Sequence, residues 1–147
     1  MSETGRGPRR SKAEAGTTLI EALVVVTITT MVSLIAFPKM QQGYLSLAQR
    51  QTIAVVAERL REARVEAMRR DSPVSFSVSI DGKVFGATAG AAARTPPGVV
   101  VSTGVGRIVF YGDGTATGGV VRVRAANRVM NVTITPLSGT VAVGGSS

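Results

Sequence analysis

The apolar and polar positions of this 147-residue chain fall into three regimes. Residues 1–16 are hydrophilic. From Thr17 to Phe37 the chain is apolar all round, and Glu21 is the single charge in 21 residues. Wound as a helix, that run reaches about 31 Å, the thickness of a bilayer hydrocarbon core. Beyond Pro38 the period stays helical, but the apolar positions narrow to one stripe: Ile53, Val56, Ala57, Leu60, Ala63 and Ala67. That spacing predicts an amphipathic helix with its stripe seated on a sheet. Arg50, Glu58, Arg59, Arg61, Glu62, Arg64, Glu66, Arg69 and Arg70 cover the remaining faces. They read as a solvated surface with i,i+3 and i,i+4 pairs such as Glu66–Arg70. Asp71-Ser72-Pro73 ends the helix, because proline cannot continue it.

From there the period changes to two. Val74, Phe76, Val78 and Ile80 alternate with serines, the pattern of a half-buried strand, and Asp81-Gly82 predicts a turn into Lys83-Val84-Phe85. Five more short strands read at Val99–Ser102, Arg107–Tyr111, Val120–Arg124, Arg128–Thr135 and Thr140–Val143, punctuated by Gly112-Asp113-Gly114 and Gly118-Gly119. Residues 87–98 read as a loop. The expected fold is α+β: a long N-terminal helix, transmembrane then amphipathic, packed on a small antiparallel β-sandwich. The expected divisions are a leader at 1–16, an apolar helix at 17–37, its amphipathic continuation at 38–71 and a β-domain at 72–147.

Charge and composition restrict the chemistry. The chain has 17 Lys+Arg against 9 Asp+Glu, with no His and no Cys. Thiol and imidazole nucleophiles, a Ser-His-Asp triad and Cys/His zinc sites are therefore excluded, and no disulfide can form. Gly104-x-Gly106 precedes a predicted strand, whereas a dinucleotide loop follows one, so it reads as a turn. Asp71, Asp81 and Asp113 are isolated turn aspartates and form no calcium loop. No nucleophile–base pair is available, so the expectation is a non-enzyme with no cofactor and no metal.

The apolar run has several readings. The leader carries Arg6, Arg9, Arg10 and Lys12 against Glu3 and Glu14, so the basic side is expected in the cytoplasm and the C-terminal portion beyond the membrane. A cleaved secretory signal fits the basic start, but no small-x-small site follows Phe37 and the run is long for a signal. A twin-arginine address at Arg9-Arg10 lacks the apolar residues expected after it. A plain anchor fits the length and leaves Glu21 unexplained, since a carboxylate deep in lipid costs a few kcal/mol. If the chain is instead cut between Gly16 and Thr17, the new α-amine lies four residues from Glu21. One subunit's carboxylate can then neutralise a neighbour's amine, which draws subunits into a staggered array.

Ala15-Gly16-Thr17-Thr18-Leu19-Ile20-Glu21 followed by an apolar stretch resembles the class III signal of type IV pilins and type II secretion pseudopilins. The resemblance implies cleavage after Gly16 by a prepilin peptidase, N-methylation of Thr17, and filament assembly guided by Glu21. Phe is usual at the first mature position, where this chain has Thr17. Pro38 falls where pilins often carry a proline that removes an i→i−4 bond and kinks the helix. A simple helix end at the membrane surface is its other reading. Val56–Val74, with Ala63-Arg64-Val65-Glu66-Ala67, resembles the helix-to-first-strand passage of GspH- and FimT-type pseudopilins. Ile108–Gly112 with Gly118-Gly119 looks like that family's glycine-punctuated middle, and Val129–Val143 like its closing hairpin. Many relatives carry Gly-Arg in that hairpin; here Thr140 follows Gly139.

The resemblance implies a single-pass inner-membrane subunit that joins a periplasmic pseudopilus or a pilus. Its implied partners are sister pilins or pseudopilins, the prepilin peptidase, the membrane and exported proteins. A type II secretion pseudopilin is the first expectation, and a FimT-like type IV minor pilin acting in pilus assembly or DNA capture is the alternative. For DNA capture the candidate residues are Arg122, Arg124 and Arg128, flanking a turn at Ala125-Ala126-Asn127 and able to meet phosphates. Arg122 and Arg124 also read as outward charges that discourage pairing at a sheet edge.

Overall fold

A computed structural model describes the backbone of residues 12–145 and the side chains of residues 18–145. One helix precedes eight strands: α1 (Lys12–Arg70), β1 (Val74–Val78), β2 (Val84–Ala87), β3 (Ala93–Arg94), β4 (Val99–Thr103), β5 (Arg107–Phe110), β6 (Gly119–Ala125), β7 (Arg128–Ile134) and β8 (Val141–Gly144). The chain divides into two compact units, Met1–Gln41 and Gln42–Ser147. Of the basic leader, residues 1–11 lie outside the described residues.

In the unit Met1–Gln41 the described residues are helical, and large apolar side chains face outward all round, from Leu19 through Phe37. Pro38 lies inside α1 and withholds one backbone donor.

In the unit Gln42–Ser147 the helix buries one face. Ile53, Val56, Ala57, Leu60, Ala63 and Ala67 are each no more than 5% exposed, so the predicted stripe is the seat of the β-domain. Two antiparallel sheets, ordered β3-β2-β1-β5 and β4-β6-β7-β8, share the core with it. Phe76, Phe85, Ile108 and Phe110 enter from the first sheet; Val101, Val121, Val123, Val132 and Ile134 enter from the second. The rings of Phe76 and Phe85 lie 6.3 Å apart at 45°. Small residues on the helix opposite large ones on the sheet bring the layers to close packing.

The helix stops by a Schellman arrangement. The Ser72 N–H donates to the Ala67 carbonyl at 3.2 Å, and Asp71 takes the left-handed conformation at φ 49°. Proline then follows at 73.

Two expectations are corrected. The first strand ends at Val78, and Ile80 is fully exposed at the tip of a turn. Asp81 Oδ1 accepts from the Ser79 hydroxyl at 2.5 Å and the Lys83 N–H at 3.1 Å, which closes the turn before the alternation can place Ile80 inside. Within residues 87–98, read as a loop, Ala93 and Arg94 form β3 against Phe85 and Val84. Two residues are too short to display a period, so only pairing reveals them.

Removing the centre of the seam tests this packing. Leu60→Ala is expected to lower stability by about 3 kcal/mol, as large-to-small core changes do. Val55→Ala, at an exposed helix position, is expected to cost under about 1 kcal/mol; chemical denaturation of the two variants gives the comparison.

Candidate assembly helix and basic face

From Thr18 onward the helix contains an 18-residue stretch of mean hydropathy 2.3, none of it buried, long and apolar enough to cross a membrane. Its hydroxyls are handled internally. Thr27, Thr29, Thr30 and Ser33 each donate at 2.7 Å to the carbonyl four residues back, on Leu23, Val25, Val26 and Thr29. Such back-bonding lets hydroxyls sit in hydrocarbon, where water is absent. Glu21 has no ion-pair partner among the described residues. Backbone residues 16 and 17 lie on the same helix, and Thr17 is one turn before Glu21, about 6 Å along the axis. The side chains of residues 12–17 lie outside the described residues.

The three candidate arginines do not form one patch. Arg122 and Arg124 lie on β6, exposed, opposite Ser102 and Val100 on one side and Asn131 and Val129 on the other. β6 is an interior strand, flanked by β4 and β7, so the reading of these two as edge guards is corrected. Arg128 opens β7 opposite buried Ala125, on the face of the sheet away from Arg122 and Arg124. The hairpin between them is Ala126-Asn127, with Ala126 in the left-handed region at φ 49°.

The sequence pattern does not reveal one buried polar group inside the seam. Gln49 is 2% exposed, and its Nε2 donates to the Val123 carbonyl at 2.8 Å and the Arg128 carbonyl at 3.0 Å. It thereby clamps the β6–β7 hairpin onto the helix. A signal existed: Gln49 stands four residues before Ile53, in register with the apolar stripe. At the other end, Arg64 Nε donates to the Gly114 carbonyl at 3.3 Å and ties the helix to the turn after β5. Gly112 and Gly139 belong to the same junction, where an added Cβ would strike Asp71 and the Gly114 carbonyl respectively.

The charged helix face pairs with itself. Arg59–Glu62 closes at 2.7 Å, while Arg69 and Arg70 reach Glu66 at 2.8 and 2.5 Å. The Arg69 hydrogen bond holds the Glu66 carboxyl below the usual carboxylate range. These residues and the 87–90 turn line an open groove of about 540 Å³ whose charges are largely matched within its own wall. Asp81 and Asp113 are also held low, chiefly by the hydroxyls of Ser79 and Thr115 and then by backbone N–H groups. Both carboxylates are thus committed to turns.

One long helix seated on two antiparallel sheets, with its first half apolar all round, is a pilin-like fold. The chain is similar to the minor pseudopilin EpsH from the type 2 secretion system of Vibrio cholerae, with TM-score 0.56 and 11% identity over 65% of this chain and 95% of that one. It is similar also to the type IV minor pilin FimU of Pseudomonas aeruginosa, with TM-score 0.55 and 14% identity over 73% of this chain and 95% of that one. A second crystal form of FimU gives TM-score 0.51 at 15% identity. At these identities the likeness is one of fold. No family model matches the chain, and no curated protein does.

Gln49→Ala is expected to destabilise the β-domain by about 2 kcal/mol, because two hydrogen bonds from a buried amide to the hairpin are lost. Thermal or chemical unfolding checks the magnitude, and faster amide exchange at the β6–β7 hairpin checks the location.

Proposed function

We propose that the chain is a minor subunit of a pilin-class filament, and that a type II secretion pseudopilus is its setting. One observation carries the reading: an apolar, uncovered helix with Glu21 one turn from Thr17 leads into a helix stripe that seats a pilin-like β-domain. In this reading a prepilin peptidase cuts after Gly16 and Thr17 is N-methylated. The segment 17–37 holds the subunit in the inner membrane, with its leader cytoplasmic and its β-domain beyond the membrane. Glu21 then meets the α-amine of a neighbouring subunit, a pairing that low dielectric strengthens. Pro38 lets the helix bend as subunits pack. The subunit contacts sister pseudopilins through this helix and offers its β-domain to them or to exported proteins.

Glu21→Ala is expected to leave insertion and cutting intact while lowering incorporation into filaments at least ten-fold. Quantifying the subunit in sheared filaments and in membranes reads both. The membrane form should have the mass of a chain that starts at methylated Thr17. A mass that begins at Met1 overturns the class and leaves a tethered ectodomain.

The type IV minor pilin with DNA capture is the second reading, favoured by the exposed pair Arg122 and Arg124 on one face. If it holds, duplex DNA is retained at low salt, and Arg122→Ala and Arg124→Ala each reduce the salt slope by about one. No retention at low salt ends it.

A further inference from the structure

The two sheets have four edge strands, and three of them are protected. β3 is two residues long and carries exposed Arg94. The free side of β5 is covered by residues 115–117: the Thr117 N–H donates to the Val109 carbonyl at 2.9 Å, and the Thr117 hydroxyl accepts from the Val109 N–H at 3.1 Å. On β4 the outward N–H of Val101 donates to the Gly82 carbonyl at 3.0 Å.

β8 differs. It pairs only with β7, and its sequence Val-Ala-Val-Gly contains no charge and no proline. The Thr135 N–H donates to the Thr140 carbonyl at 3.0 Å. Alternation along an antiparallel ladder then turns Ala142 and Gly144 toward β7 and points the N–H and C=O groups of Val141 and Val143 outward. The inner face is also unfinished there. Val132 is fully buried, but Val143 beside it is 46% exposed. An open, apolar edge of this kind is a template for strand addition.

Charge selects the occupant. Residues 72–147 contain six cations and two aspartates. Both aspartates are bound in their own turns. Arg122 stands in the same cross-strand row as Asn131 and Gly144, and Gly144 has no side chain to screen it from the edge. A second copy would bring like charge to this edge. We infer that β8 is the site where a different protein chain adds an extended strand, apolar toward the core and acidic on the outer face. This goes beyond the filament reading and does not depend on it.

The test uses the full chain in detergent micelles and the peptide acetyl-(Glu-Val)3-amide. Without peptide, the Val141 and Val143 amides should exchange quickly and those of Ala142 and Gly144 slowly. Saturating peptide should slow Val141 and Val143 at least ten-fold. Val143→Pro, which removes an outward N–H without a hydrogen-bond partner among the described residues, should weaken peptide binding at least ten-fold while the melting temperature stays within a few degrees. The matching (Lys-Val)3 peptide should bind at least ten-fold more weakly than the acidic one. Strand addition is overturned if Val141 and Val143 gain no protection, if Val143→Pro binds as well as the parent, or if that variant fails to fold. Equal binding of the lysine peptide overturns the acidic partner.

Discussion

The contact on which the β-domain depends is the seam between one face of α1 and the inner faces of two small sheets. Each four-stranded sheet presents one apolar face that must be covered to be stable in water. The helix supplies a common floor. Alanines at 57, 63 and 67 keep that floor low, and Phe76, Phe85 and Phe110 fill the space above it. The seam also fixes where polar groups can go: Gln49 at one end and Arg64 at the other are the points at which the helix hydrogen-bonds to the sheets' connections. Between them the buried helix positions are apolar except Thr52, whose hydroxyl donates back to the Ala48 carbonyl at 2.8 Å.

Much of this was legible because it is local. The stripe from Ile53 to Ala67, the alternation from Val74 to Val78 and the stop at Asp71-Ser72-Pro73 are each written in consecutive residues, and each has one physical solution. What escaped is non-local. β3 exists only because Phe85 and Val84 are there to pair with it. Ile80 carries the right chemistry for a core position but lies where the Asp81 carboxylate closes a turn. Gln49 reads as a polar residue, and its burial is satisfied only by two hairpin carbonyls, more than 70 residues away, that accept from its amide.

Sheet membership explains the arginines. β5 lies between β4 and β6 in the chain, yet it pairs with β1 in the other sheet. β4 and β6 thereby become neighbours, β6 becomes interior, and Arg122 and Arg124 cannot guard an edge. Parity does the rest: one strand change through a two-residue hairpin puts Arg128 opposite Ala125, on the other face. Three arginines within seven residues are therefore two surfaces. The edges themselves are guarded by turns, by shortness and by Arg94, and β8 has none of these devices.

The same helix treats its two conspicuous polar groups in opposite ways, and this contrast bears on what the apolar segment is for. Gln49 finds both partners inside its own chain. Glu21 lies among Leu19, Ile20, Val24 and Val25, all exposed. The hydroxyls of Thr27, Thr29, Thr30 and Ser33 bond back to their own helix, a solution not open to an acceptor-only carboxylate, because the carbonyls of preceding turns offer it no donor. No cation among the described residues pairs with Glu21, and in the proposed filament a neighbouring subunit supplies it. The residues that would hold such a cation in place are the apolar ones surrounding the carboxylate. In the proposed filament, lateral packing and charge pairing are then one event, since helices lying side by side cover the exposed apolar surface and bring the carboxylate its cation.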